Sequence, residues 1–362
     1  MREVGCAAWS APAAAASGFG NHGGTSCSSA TSHSQPASAS ANSAVSERPD
    51  SGRERPWNRF QVRTRTPGER TLRRLHFIDG TELSSAQLTS LLDRALALKA
   101  APAGSRALEG KSVALLFEFP STRTRLSFEA GVFELGGHPL VLRANELQLT
   151  RGESVRDTAL VFSRHAAAIG LRTGSEERLA ALAAHATVPV VNMLSPLHHP
   201  CQALADLQTM REAYGSLEGR VLAYVGDGNN VARSLAIAGR LAGVEVRVAT
   251  PEGYELEPGL AALDTHDPRE AADGADALYA DVWVSMGDES DEDRRRADLA
   301  PYQLNDELLA LGSERAIAMH CLPAHPGEEI TADVLYGERS AVWDQAENRL
   351  HAQKALLERL VG

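Results

Sequence analysis

Two apolar runs that stop in turn chemistry and pass straight into helical spacing constrain this chain more than any other feature. SVALLFEF at 112–119 is followed, after Pro120, by STRTRLSFEAGVFELGG, a helical pattern closed by Gly136 and Gly137. GRVLAYVGDG at 219–228 runs into NNVARSLAIAGRLAG and then into another apolar run, VEVRVATP. A short run buried on both faces with a helix behind it is the unit of a parallel sheet, since a parallel neighbour can be reached only by a crossover. Two such units predict an α/β protein with two doubly wound parallel-sheet domains of similar size. The length of 362 residues accommodates both.

Around these units other elements are legible. FIDGTELSSAQLTSLLDRALALK offers Ser84 and Ser85 as caps and places Leu88, Leu91, Leu92, Ala95 and Leu96 on one helical face. The closing stretch WDQAENRLHAQKALLERLVG reads as a helix that packs through Leu350, Leu356, Leu357 and Leu360. No run of 18 apolar residues occurs, so no membrane-spanning helix is expected. Residues 1–70 are rich in Ala, Ser and Gly and bury too little apolar surface to offset ordering, so they are expected to be a disordered leader. This leader is poor in acids, but its first 46 residues hold Arg2 as their one cation. CAAWSAPAAAA, broken by Pro12, makes a poor secretory core, which leaves a passive extension of a cytoplasmic protein or an organellar leader.

The formal charge is −11, and beyond residue 75 there are 26 basic against 42 acidic residues. Such a body repels nucleic acid, so an anionic ligand has to be caught by a local cluster. Of the four cysteines, Cys6 and Cys27 lie in the leader, while Cys201 and Cys321 lack CxxC or zinc spacing. That argues against a disulfide framework or a metal knuckle and for a reducing compartment.

The local cluster is Ser121 to Arg125, at the junction of a strand end and a helix N-terminus. Free backbone N–H groups and the positive end of the helix dipole favour an anion there, Ser121, Thr122 and Thr124 add hydroxyls, and Arg123 and Arg125 add forked cationic donors suited to phosphate. Taken alone, the pattern also suits a plain N-cap beside solvated arginines. GDGNN at 226–230 also opens a helix after a strand, but it lacks the third glycine of a dinucleotide fingerprint and the next strand ends in Thr250-Pro251 without an acid. A dehydrogenase is therefore disfavoured.

STRTR after Phe-Glu, followed by LSFE, resembles the carbamoyl-phosphate loop of the aspartate and ornithine carbamoyltransferases. HHPCQALADLQT, YVGDGNNVARS, DVWVSMG, MHCLPAHPGEEIT and AENRLHAQKALL extend the resemblance in the family's order over about residues 75–360. DVWVSMG and HCLP are similar to the ornithine-directed members, and a carboxylate at Asp281 suits an α-ammonium. The resemblance implies a carbamoyl-phosphate-binding domain at 71–208, completed by a C-terminal helix at 343–362, and an ornithine-binding domain at 209–342. It places Ser121, Thr122, Arg123 and Thr124 on the phosphate, Arg172, His199 and Gln202 by the carbamoyl oxygen, and Arg349 as a residue that helps close the site. Arg125 becomes a structural or interdomain partner. Asn230, Asp281, Ser285 and Met286 would hold ornithine, with Cys321 and the Leu322 carbonyl beside its side-chain amine. The acidic run DESDED at 288–293 would be a mobile loop that closes over ornithine.

The resemblance also implies direct attack of the δ-amine on carbamoyl phosphate without a covalent enzyme intermediate, giving citrulline for arginine metabolism, with no metal or organic cofactor, in a homotrimer or a higher multiple. Putrescine or an N-acylated ornithine as acceptor, or a non-catalytic ligand-binding paralogue, are the competing readings. The chain departs from the family's usual pattern at Phe119, where Lys is common, at Pro326, where many bacterial members have Arg, at His165, often Tyr, and around Ala261–Asp273, which is short. Two absent cations near an anion site would weaken carbamoyl-phosphate binding if those positions point inward.

Overall fold

The structure, a computed structural model, describes residues 76–284 and 289–362. The leader at 1–70, and Ser285 and Met286, lie outside the described residues. Helix α1 (Ser85–Ala100) starts on a capping box in which the Ser84 hydroxyl accepts from Gln87 N and the Gln87 side chain accepts from Ser84 N. Its buried face is Leu88, Leu91, Leu92, Ala95 and Leu98. Leu96, expected on that face, is half-buried, because a turn of about 100° per residue brings Leu98 nearer the centre of the stripe.

The first sheet is built from β1 (Ser112–Phe117), α2 (Thr122–Glu134), β2 (His138–Arg143), α3 (Val155–His165), β3 (Ala168–Arg172), α4 (Glu176–His185) and β4 (Val190–Leu194). Its strands are all parallel in the order β2-β1-β3-β4, with Leu115 of β1 opposite Val141 and Gly170. Helix α5 (Pro200–Tyr214) leads out of this sheet.

The second sheet comes next with β5 (Val221–Val225), α6 (Asn230–Ala242), β6 (Glu245–Ala249), β7 (Leu263–Thr265), α7 (Pro268–Ala272), β8 (Ala277–Ala280), α8 (Glu292–Leu299), α9 (Asp306–Leu309) and β9 (Ile317–His320). Its order, β7-β6-β5-β8-β9, is again fully parallel. The acidic run, expected to be a mobile loop, is helical from Glu289 onward, a single 3₁₀ turn leading into α8. After α10 (Ala332–Tyr336), α11 (Val342–Val361) packs on α1, α2 and α5, the helices of the first sheet.

Both sheets are wound in two directions, as the sequence predicts. In each, the chain reverses its winding beside the first strand, between β1 and β3 in one sheet and between β5 and β8 in the other. In open parallel sheets the crevice outside the carboxyl ends at such a reversal is where ligands bind. One apolar core, running from Leu115 and Phe128 through Leu204 to Tyr224 and Tyr279, underlies both reversals. No helix among the described residues is long and apolar enough to cross a membrane.

Close helix–sheet packing in the second half depends on Gly239, since a Cβ there would lie 2.4 Å from Cγ2 of buried Val246. Gly239→Ala is expected to destabilise the protein by about 1–3 kcal/mol, read as a lower midpoint in urea unfolding with an unchanged slope.

Candidate active site

The carboxyl end of β1 delivers the Ser-Thr-Arg-Thr-Arg cluster to the start of α2. Ser121 is the N-cap, extended at φ −157°, and its hydroxyl accepts from Thr124 N at 3.4 Å. The same strand end is tied to β3, where Glu118 N donates to Arg172 O at 3.0 Å. Glu118 also accepts from Thr173 Oγ1 at 2.6 Å and pairs with Arg178. These bonds hold the cluster beside Arg172, the last residue of β3.

Around it stand cations with little counter-charge. Arg172 is 8% exposed, and burial, reinforced by the charges of Arg349 and Arg123, lowers its guanidinium to about 10. His199, the N-cap residue of α5, is buried, and desolvation followed by Arg349, Arg172 and Arg123 pushes its pKa well below the usual histidine value. Its imidazole is therefore neutral near pH 7, a hydrogen-bonding group and not a charge. Arg172 Nε and His199 Nδ1 have no hydrogen-bond partner among the described residues. Most buried polar atoms have a protein or water partner, so donors left open beside a surplus of positive charge suit an anionic ligand.

Arg349 of α11 reaches the same place from the other end of the chain. Its Nη1 donates to Gln202 Oε1 at 2.6 Å and its Nη2 to Thr124 Oγ1 at 3.3 Å. Gln202 Nε2 donates in turn to Asp206 Oδ1 at 2.8 Å. Burial is the main cause raising the Asp206 carboxyl to about 7, partly offset by the bonds from Gln202 and Gln345 and the charge of Arg349.

The second sheet contributes a carboxylate and a thiol. Asp281, just beyond β8 and 5% exposed, accepts from Cys321 Sγ at 2.8 Å on one oxygen and from Asn229 Nδ2 at 2.7 Å on the other. Desolvation, then the Asp281 charge and its hydrogen bond, hold the Cys321 thiol well above the ordinary cysteine value, with Arg123 acting the other way. Leu322 adopts a left-handed φ of 60°, a conformation that costs of order 1–3 kcal/mol in a residue with a bulky side chain. It is held there by a 2.8 Å bond from Leu322 N to His320 Nδ1, while His320 Nε2 meets buried Glu329 at 3.1 Å. Asp281, His320 and Cys321 offer atoms within 4.8 Å of one another, as do His325, Glu328 and Glu329, so both groups have donors suited to a metal. Both ring nitrogens of His320 are already engaged by these protein partners.

Two bonds join the sheets at this point. His199 N donates to Ser234 Oγ at 2.7 Å, and Asn230 Nδ2 donates to Ser195 O at 2.8 Å. The side chain that meets Asp281 is thus Asn229, while Asn230, expected at the amino-acid end, spans to the other sheet. Asn229 was not singled out in the sequence; its N-cap position beside Gly228 is the signal that marks it. Arg125 bonds Glu129 one turn along α2, at 2.7 Å, which fits a structural residue. His165 is exposed at the end of α3.

The two missing cations have different surroundings. Pro326 is exposed on the loop after Cys321. Phe119 is 42% exposed and lines an open depression with Ser121, Thr122, Arg125 and Arg143, its ring packed over Gly174. Phe119 therefore borders the helix N-terminus at which the anion cluster sits.

Known proteins share this organisation. The family model described as aspartate/ornithine carbamoyltransferase, carbamoyl-P binding domain, matches residues 75–212, and that described as the Asp/Orn binding domain matches 218–360. An ornithine carbamoyltransferase of Parafrankia sp. is 55% identical over 300 residues, 78% of this chain and 94% of that protein. One from Acidothermus cellulolyticus is 53% identical over 78% of this chain and 95% of its own length. The crystal structure of ornithine carbamoyltransferase from Thermus thermophilus superposes with a TM-score of 0.74 at 47% identity, covering 78% of this chain and 98% of that one.

With its pKa raised, Cys321 is a thiol and not a thiolate near neutral pH. Iodoacetamide at pH 7.5 is expected to label it more slowly than a free cysteine, and Asp281→Asn, which removes the carboxylate that adds to the rise caused by burial, is expected to speed labelling. Cys201, fully buried and pushed up to about 12, should stay unlabelled in the native protein by peptide mass spectrometry.

Proposed function

The chain belongs to the aspartate/ornithine carbamoyltransferase family, and on that premise we propose that it transfers the carbamoyl group of carbamoyl phosphate to the δ-amine of L-ornithine, releasing L-citrulline and phosphate. One observation carries the reading. A cluster of guanidiniums at the carboxyl ends of the first sheet, Arg172 and Arg349 buried and Arg123 near them, bears electrostatically on the Cys321–Asp281 pair at the end of the second. That is a site for a phosphorylated anion beside a site for an ammonium-bearing partner.

In this reading residues 71–208, completed by 343–362, take carbamoyl phosphate, and 209–342 take ornithine. Ser121, Thr122, Arg123 and Thr124 bind the phosphate with the α2 N-terminus. Arg172, neutral His199 and Gln202 bind the carbamoyl oxygen, and Arg349 holds Gln202 and Thr124 in register. The neutral δ-amine attacks the carbamoyl carbon, so an N–C bond forms and negative charge develops on the carbonyl oxygen. Arg172 and His199 are fixed before the reaction and stabilise that charge without reorganisation. The C–O bond to phosphate then breaks, and the departing phosphate takes the proton lost by the amine.

Asp281, Ser285, Met286 and Asn230, whose Nδ2 is engaged by Ser195 O and which in this reading offers its Oδ1, hold the amino-acid end, with Cys321 and the Leu322 carbonyl beside the amine. A thiol as weakly acidic as Cys321 is a poor nucleophile, which supports direct transfer without a carbamoyl-thioester. Homotrimeric assembly belongs to the same proposal and is supported by Leu126 and Phe133, apolar side chains 67% and 75% exposed on α2. Cytoplasmic location fits the free cysteines Cys201 and Cys321.

Purified protein is expected to form citrulline from ornithine faster than it carbamoylates putrescine or N-acetylornithine, and a clear preference for putrescine would overturn the assignment. The attacking amine, with a pKa of about 10.4 by analogy with lysine, is mostly protonated near neutrality. kcat/KM for ornithine should therefore rise about tenfold per pH unit between pH 6.5 and 8.5. Arg172→Ala is expected to lower kcat by about 10²–10³-fold. Phe119→Lys should lower KM for carbamoyl phosphate while leaving KM for ornithine near its original value.

A further inference from the structure

Asp206 lies one turn beyond Gln202 on α5, 0% exposed, and neither substrate binding nor the transfer step described for this site draws on it. Its Oδ1 accepts two amides at once, from Gln202 Nε2 at 2.8 Å and from Gln345 Nε2 at 2.7 Å. A glutamine side chain can present either its oxygen or its nitrogen to a neighbour. An acceptor shared by both amides decides the question for both. The Gln202 oxygen is turned to Arg349, and the Gln345 oxygen to the backbone N–H of His320 at 2.9 Å, the residue before Cys321. Gln345 Nε2 also lies 3.1 Å from Tyr279 Oη, two residues ahead of Asp281. One carboxylate oxygen thus joins Thr124 and Arg349 on one side to the Cys321 loop on the other, through bonds buried from solvent.

We propose that Asp206 is a positioning residue for carbamoyl transfer, whose shared oxygen locks Gln202 and Gln345 and so aligns the phosphate-binding side of the site with the backbone that carries Cys321. The second oxygen, Oδ2, has no hydrogen-bond partner among the described residues, so a proton can reside there while Oδ1 goes on accepting both amides. The raised pKa of about 7 accords with that arrangement. What the lock needs is an oxygen at this position, so asparagine should replace it and alanine should not. The proposal rests on the carbamoyltransferase reading.

The test is a set of full-length variants, Asp206→Asn, Asp206→Ala, Gln202→Ala and the Asp206→Ala/Gln202→Ala pair, assayed well below their melting temperatures. Asp206→Asn should keep kcat within about threefold of the parent, and Asp206→Ala should lose about 10²-fold in kcat. The double variant should lose less than the product of the two single losses, because Gln202→Ala has already released one of the two amides that Asp206 holds. A folded Asp206→Ala with parental kcat, an Asp206→Asn as slow as Asp206→Ala, or losses that multiply in the double variant would each overturn the proposal. Should Asp206→Ala not fold, Gln345→Ala cuts one arm of the lock; a loss of kcat there supports the proposal and parental kinetics sink it. The comparison is a ratio taken with whichever amine the parent turns over, so failure on ornithine overturns the acceptor assignment and leaves the lock testable. If no amine is turned over, calorimetric affinity for carbamoyl phosphate across the same variants supplies the ratios.

Discussion

A guanidinium removed from water must be surrounded by oxygens, and the burial of Arg349 is the constraint around which the site is arranged. At 4% exposure it finds the Gln202 oxygen on α5 and the Thr124 hydroxyl on α2. An unpaired charge at that depth would cost several kcal/mol, so α11 has to lie against both helices. The rest of its inward face obeys the same rule. Asn348 meets Thr209 Oγ1 at 2.9 Å and Gln208 at 3.0 Å, and Lys354, fully buried, pairs with Glu134 at 2.5 Å. Helix α11 is therefore bonded as well as packed onto the first sheet's helices, although it comes after the second sheet in the chain.

This return has a chemical consequence. In the proposed reading each sheet alone offers half of a bimolecular site: one carries hydroxyls and guanidiniums, the other a carboxylate, a thiol and the left-handed turn at Leu322. Bonds between the sheets, from His199 N to Ser234 Oγ and from Asn230 Nδ2 to Ser195 O, bring the halves together. Burial then adjusts the groups. It makes His199 neutral and Cys321 a thiol, as the proposed transfer requires: fixed donors for an anion and a developing oxyanion, and no competing nucleophile.

Much of this was legible along the chain. The alternation of apolar runs and helical patterns carried the two parallel sheets, and the hydroxyls and arginines after SVALLFEF marked a helix N-terminus before any contact was known. Other residues were not legible at that level. Asn229 and Asn230 are adjacent and chemically identical, yet the N-cap conformation of Asn229 turns it to Asp281 while Asn230, one residue into α6, reaches Ser195. In the closing helix the leucines read as the packing residues, but Leu350 and Leu360 are half-buried whereas Gln345, Asn348, Arg349 and Lys354 are buried. A polar residue inside a helical pattern looks like a solvated one until its partner is known.

By itself, then, the sequence determined the fold class, the order of the motifs and the presence of a helix start rich in hydroxyls and arginines, because each depends on residues within a few turns of one another. Only the tertiary structure decided which polar groups meet. Arg349 and Gln202 are 147 residues apart, and Asp206 and Gln345 are separated by 139. Contacts at that separation leave no periodicity or spacing to read. They exist because buried donors and acceptors must be satisfied, and which of them satisfy one another is settled only when the core closes.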